Sequence, residues 1–311
     1  MPAEKPEERA LTAQSGRGAS DTYGMKRSLV VLLALSMLLL VAVVSPIHAA
    51  EPSPNQVLVV TINLTETEVR DVSDTSDVDL FVERLVPLVP HAPDIVLAQE
   101  VRLESAENTA AALTKAYGVK YAIGVPAGVD PMWHKERRDG SLIQFTQESS
   151  VIFNTATMEM AGPPRFVRNS YMDGDLKVVR KHPYGTLREV ESELSIVAAS
   201  IHMFRPVKIS SETRATHAAQ VAAALQREAT ATGATLQTMG GDFNEWRGED
   251  NDPTPFYRTL LNDHGFIDAI PMRGVDYIFA KGASVELAEW GKDENDKAYS
   301  LHAFRWSLFG P

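Results

Sequence analysis

The stretch Val57-Leu58-Val59-Val60-Thr61-Ile62 has no polar face. A β-branched run without alternation predicts a strand covered on both sides, the condition of strands in layered α/β folds. Asp94-Ile95-Val96-Leu97-Ala98 repeats the pattern. Between the two, apolar residues from Val78 to Val89 recur at three and four, which predicts a helix ended by Pro90 and Pro93. An Ala-rich helix is next over 105–117, with Gly118 as its C-cap. Further strands are predicted at Val119 to Val125, Ser150 to Phe153 and Leu194 to His202. Polar residues 126–148, around Trp133, predict a loop or surface hairpin. Ser211 is expected to cap a helix over 212–231, and Leu236 to Met239 to form a strand that ends at Gly240-Gly241. A short helix over 254–263 and strands near 275–280, 284–289 and 303–308 complete a mixed α/β pattern.

Residues 1–50 stand apart from this pattern. Lys26-Arg27 precedes an apolar run over 29–44, Pro46 stops it, and Ala49-Ala50 offers small residues for cleavage. That order predicts a secretory leader, with an uncleaved membrane anchor as the alternative. The run is shorter than the ~20 residues of a full membrane span. Either Met1 or Met25 can serve as the start. The expected organisation is a leader over 1–50 and one α/β domain over 51–311, exported from the cell. The chain has 30 basic and 41 acidic residues. Taking away the five basic and four acidic residues of positions 1–50 leaves 25 and 37, a net charge of -12. Such a balance argues against a protein that holds nucleic acid mainly through a basic surface. The chain has no cysteine, which excludes a disulfide scaffold, a cysteine nucleophile and a thiolate metal site.

Several of the apolar strands end in polar residues that a core would not choose. They are Asn63, Gln99-Glu100, His202, Gly240-Gly241-Asp242-Phe243-Asn244, Asp276 within Val275 to Phe279, and His302. Strand ends that share one edge of a sheet line the crevice in which α/β proteins bind ligands. Carboxylates with a carboxamide make a hard oxygen site suited to Mg²⁺, Mn²⁺ or Ca²⁺. Two histidines beside them supply acid and base near neutral pH. Metal, acid, base and amide donor together suit in-line attack of water on a phosphate ester. Asp242 and Asn244 are two apart, so in an extended segment they point to one side.

The order of Ala98-Gln99-Glu100-Val101-Arg102, Ala198 to His202, Gly240 to Asn244, Gly265 to Ala269 and Arg273 to Phe279 resembles the endonuclease/exonuclease/phosphatase superfamily. Its members include pancreatic-type deoxyribonucleases, bacterial neutral sphingomyelinases and inositol-polyphosphate 5-phosphatases. The resemblance implies a four-layer α-β-β-α sandwich, two packed mixed sheets flanked by helices. It also implies a metal-dependent phosphodiesterase, with Glu100 as the principal metal ligand and Asn63 helping to hold metal or phosphate. Asp242 would orient the attacking water, Asn244 bind the scissile phosphate, Asp276 pair with His302, and His202 serve as phosphate contact or second acid/base. Glu148 is the candidate partner of His202, and Arg102 and Arg188 are candidate phosphate contacts. The closing motif departs from the family: Leu301 stands where an aspartate is usual, and Phe304 where a proline is. The expected substrate is nucleic acid. A phospholipid or small phosphate ester is the rival, and a non-catalytic binding module with a degenerate metal site is the third reading.

Overall fold

The computed structural model describes residues 56–64, 76–127, 132–145, 148–249, 252–271, 274–282, 285–293 and 302–310. The apolar run 29–44, Arg273 and Leu301 lie outside them. All the described residues belong to the unit Ala50–Pro311.

One sheet is built on the two apolar runs, now β1 (Val57–Asn63) and β2 (Ile95–Val101), which pair in parallel. β3 (Tyr121–Val125) and β6 (Glu148–Asn154) extend it on one side. β16 (Glu286–Lys292) and β17 (Arg305–Gly310) extend it on the other. The second sheet centres on β10 (Ser195–His202) and β11 (Leu236–Asp242), also parallel. β15 (Asp276–Gly282) flanks them on one side and the long β9 (Leu176–Glu189) on the other. β9 also carries β4 (Trp133–Glu136), β7 (Met158–Met160) and β8 (Arg165–Asp173). β14 (Ile267–Asp268) lies outside β15, and β12 (Gly248–Glu249) pairs with β13 (Asp252–Pro253) apart from both sheets.

Three apolar clusters separate four layers. Leu58, Val60 and Ile62 of β1 pack with Phe81 and Leu85 of α1 (Ser76–Leu85) and Leu113 of α2 (Leu103–Tyr117). Val57, Val59, Ile95 and Leu97, on the opposite face, meet Ile196, Ala198 and Ile278 between the sheets. Val197, Ala199 and Ile201 form the outer face of the second sheet. They pack with Val221 and Leu225 of α3 (Ser211–Thr232) and with Phe256 of α4 (Pro255–Arg258). Each central strand therefore buries both faces, which is why none of them alternates.

A polar bridge crosses the dry inter-sheet layer. Gln99 Nε2 donates to Ser200 Oγ at 2.8 Å, and Ser200 Oγ donates to the Ala98 carbonyl at 2.9 Å. Thr61 Oγ1 adds a bond to the Leu97 carbonyl at 3.1 Å. Buried hydroxyl and amide groups are tolerated because each is satisfied.

The structure departs from the expectations in three places. Ser210, not Ser211, caps α3: it is extended and its Oγ accepts the Thr213 N–H, while Ser211 lies inside the first turn. β11 runs through Gly240-Gly241 to Asp242 instead of stopping before them. The polar segment 126–148 does hold the expected hairpin, β4 with β5 (Leu142–Gln144), and its first strand also pairs with β9. The long pair β8–β9 escapes the apolar pattern because its residues are mixed in polarity and interrupted by Pro183 and Gly185.

Candidate active site at the strand ends

Register brings the polar strand ends into line. In the second sheet His202 pairs with Asp242, and Asp242 with Asp276. Residues opposite one another on neighbouring strands share a face, so three functional side chains come from one row of the pleat. In the first sheet Asn63 pairs with Gln99, and then a bulge inserts Glu100 before Val101 meets Glu148. Glu100 has φ +57 and Asn244 φ +52, the only non-glycine residues in the left-handed region among those described. Backbone strain of this kind costs of order 1–3 kcal/mol and gathers where side chains must be aimed. At Glu100 the bulge turns the carboxylate across the sheet edge toward the other sheet.

The focus of the cluster is Asp242 Oδ2. It accepts Asn63 Nδ2 at 3.3 Å and Asn244 Nδ2 at 3.0 Å. His202 Nε2 lies 3.6 Å from it and His302 Nε2 3.8 Å. Glu100 Oε1 completes the near side, 3.2 Å from Asn63 Nδ2 and 3.6 Å from His202 Nε2. His302 Nδ1 faces both Asp276 oxygens at 3.0 Å. Asn244 joins Asp242 through an Asx turn, its backbone N–H donating to Oδ1 at 2.7 Å, and not through strand alternation. Its amide also donates to the Met203 carbonyl at 3.0 Å.

Two triads share the central carboxylate: Glu100, His202 and Asp242, and then Asp242, Asp276 and His302. In each, ligand atoms lie within 4.8 Å of one another. The donors are carboxylate oxygen, which suits Mg²⁺ or Mn²⁺, and imidazole nitrogen, which favours the transition metal of the two. Buried carboxylates that converge this closely need compensating positive charge, part of which His302 and Arg180 supply. Glu100, Asp242 and Asp276 are each less than 10% exposed.

Electrostatics give the two histidines opposite states. Burial and the positive charge of Arg180 hold His202 well below the ordinary histidine range, so it is neutral at pH 7. Burial also works against charge on His302, but the hydrogen bond and charge of Asp276 outweigh it and raise His302 to about 9. Asp242 is pushed up to about 7 by burial and by the Asp276 carboxylate. A neutral imidazole, a charged imidazole and a carboxylate near neutrality thus meet at one oxygen.

The remaining candidates fall elsewhere. Glu148 is buried on β6 and its Oε1 accepts the Met132 N–H at 3.4 Å; the carboxylates that face His202 are Glu100 and Asp242. Arg102 comes directly after the Glu100 bulge as the extended N-cap of α2, with its Nε buried and unbonded. Arg188 pairs with Glu159 on the surface and sits opposite Ser195. Ser195 and His202 are seven residues apart along β10, so Arg188 lies about 23 Å of strand away from the cluster. Residues 177–189 also hold two groups that the sequence does not reveal. Arg180 Nη1 donates to the carbonyls of His202 (3.0 Å) and Met203 (2.7 Å), and His182 Nδ1 accepts the His202 N–H at 3.4 Å. Arg180-Lys181-His182 looks like a solvated strand, but Arg180 is covered by Trp133 of β4 and by Phe204, and His182 is bonded to Asn169 of β8, which leaves both buried.

No family model matches the chain, and no curated protein matches it. Solved structures do. An endonuclease/exonuclease/phosphatase from Bacteroides vulgatus is 16% identical, with a TM-score of 0.57 over 82% of this chain and 98% of that one. The human Nocturnin catalytic domain with a bound sulfate anion is 14% identical, with a TM-score of 0.58 over 82% and 94%. A mannosyl-6-phosphatase from Bacteroides thetaiotaomicron is 12% identical, with a TM-score of 0.54 over 81% and 99%. What these proteins share with the present chain is its layer order and topology, and so the chain has the endonuclease/exonuclease/phosphatase fold.

Proposed function

We propose that the chain is an exported, divalent-metal-dependent phosphodiesterase that acts on nucleic acid. The observation that carries the reading is Asp242, a carboxylate shared by two acid–imidazole triads whose histidines differ in charge. Glu100, Asp242 and His202, with the Asn63 carboxamide beside them, would hold Mg²⁺ or Mn²⁺, which supplies charge stabilisation to a phosphate oxygen. Asp242, near neutrality, takes a proton from the attacking water, and Asn244 fixes the carboxylate for that transfer. His302, charged and oriented by Asp276, presents its Nε2–H to the phosphate or leaving oxygen. His202 remains a neutral ligand or acceptor.

Nucleic acid is favoured by the Gln99-Glu100-Val101-Arg102 segment, whose arginine lies two residues beyond the bulged glutamate. A small phosphate ester is the second reading, favoured by a net charge of -12 over residues 51–311, which repels a long polyanion. Export rests on the charged, apolar and small-residue order of positions 26–50. Among the described residues no helix is long and apolar enough to cross a membrane.

The purified chain is expected to nick supercoiled plasmid with Mg²⁺ or Mn²⁺ and to stop when a chelator is added. Intact plasmid with hydrolysis of a sugar phosphate would favour the second reading. No turnover of either substrate, with no metal binding by calorimetry, would leave a binding module. The pH profile is a separate check. Activity should rise as Asp242 loses its proton near 7 and fall as His302 loses its own near 9. Because metal competes with the proton on Asp242, the acid limb should move to lower pH as Mg²⁺ is increased. An acid limb that ignores Mg²⁺ would remove Asp242 from the metal site.

A further inference from the structure

β10 pairs with β9 only from Ser195 to Ala199. Its last three residues, Ser200 to His202, pair with β11 alone. On the open side β9 has turned to β4, which takes over at Arg180 opposite Trp133. The backbone of His202 would there lose its sheet partners. Side chains replace them: His182 takes the N–H and Arg180 the C=O. Arg180 also binds the next carbonyl, that of Met203, which Asn244 Nδ2 shares.

The guanidinium is fixed from two directions. Its centre lies 4.3 Å from the Trp133 ring and 5.3 Å from that of Phe204, and the residue is 7% exposed. Among the described residues it makes no ion pair within 4.0 Å. Its charge reaches Asp242 and Glu100 through space, but its hydrogen bonds go to two neutral carbonyls, and a forked donor bound in this way holds a geometry.

We propose that Arg180 is a positioning residue that aims His202, and through the Met203 carbonyl Asn244, at Asp242. It replaces the missing strand with a rigid fork anchored between two rings. The inference rests on the phosphodiesterase reading for its kinetic test, though not for its structural one. A misplacement of about 1 Å in a catalytic group costs on the order of 10²-fold in rate.

The kinetic test uses bis(p-nitrophenyl) phosphate with Mn²⁺, and compares Arg180→Gln, Arg180→Lys, His202→Ala and Arg180→Gln with His202→Ala. Arg180→Gln should lower kcat about 10²-fold and leave KM within about threefold. In the His202→Ala background the same change should cost much less, because the group it aims is gone. Arg180→Lys, with one charged donor in place of a fork, should fall between. Equal losses in both backgrounds would overturn the proposal, as would a raised KM with kcat unchanged, which marks a direct phosphate contact. If the native chain turns over no phosphate ester, the functional reading fails, and ¹⁵N-histidine spectra decide the positioning role alone. Arg180→Gln should then move the His202 ring signals and leave those of His302 in place; unmoved His202 signals would sink it. If the glutamine variant does not fold by circular dichroism, the lysine variant carries both readouts.

Discussion

Asp242→Asn is expected to lower phosphodiester turnover at least about 10²-fold without weakening the fold. The substitution removes the one carboxylate that both triads share, and with it the proposed acceptor for the water proton. It retains the shape, but its single amide oxygen can take the place of Oδ1, which accepts the Asn244 N–H at 2.7 Å, or of Oδ2, which accepts the Asn63 and Asn244 amides, and not of both. The stability side has a definite sign. Burial and Asp276 raise the folded-state value of Asp242 to about 7, above its ordinary value of 3.8. The folded chain therefore disfavours the charge, and above the unfolded-state value each unit of pH costs stability until pH passes 7. Asparagine has no such cost, which at pH 8 without metal offsets the acceptor it takes from the Asn63 and Asn244 amides, so the variant should melt close to the native chain. Saturating Mn²⁺ should raise the native melting temperature more than that of the variant. A variant that loses activity by unfolding, or one that keeps most of its rate, would remove Asp242 from the centre of the chemistry.

Gly241→Ala is expected to cost more than about 4 kcal/mol, enough to leave little folded protein. The glycine has φ +149, and a Cβ there would stand 1.8 Å from the Ile201 carbonyl oxygen. That atom is backbone of the neighbouring parallel strand and cannot swing aside. Gly118→Ala is the control. It also has a positive φ, at the end of α2, but its Cβ would meet nothing within 4 Å. Its cost should be about 1 kcal/mol, from backbone strain alone. Urea midpoints of the two variants measure the contrast, and similar midpoints would mean that β10 and β11 separate readily near the site.

The residues behind these expectations lie at different depths in the sequence. Asn63, Glu100, His202, Asp242 and Asp276 are visible as polar residues that end or interrupt apolar strands, because burial on both faces leaves a strand with nothing polar until it emerges. His302 is visible beside the strand predicted at 303–308, but its pairing with Asp276 comes only with the resemblance. Asn244 is visible too, but alternation gives the wrong geometric reason for its position, since an Asx turn places it. The aim of Glu100 is hidden, because a bulge is a property of pairing register and not of residue type. Arg180 and His182 are hidden more deeply. Their burial depends on where β9 parts from β10, and nothing in the run from Val178 to Pro183 marks that divergence. Arg188, equally basic and nearby in sequence, is the candidate the residue pattern offers, and it lies at the other end of the strand.

The polar bridge behind the cluster has a consequence for how the molecule comes apart. Asn63 and Glu100 belong to one sheet, and His202, Asp242 and Asp276 to the other. The cluster exists only while the two sheets keep a single alignment, and the bonds that Ser200 makes to Gln99 and to the Ala98 carbonyl are keyed contacts across a largely apolar interface. Apolar side chains alone permit slippage, since hydrophobic attraction has no direction. A loosened, still layered chain would retain its helices and strands and yet divide its acidic ligands between two drifting halves. Affinity of the proposed site for a divalent ion is thus a more sensitive gauge of sheet alignment than the content of secondary structure, and should vanish first as the molecule is warmed.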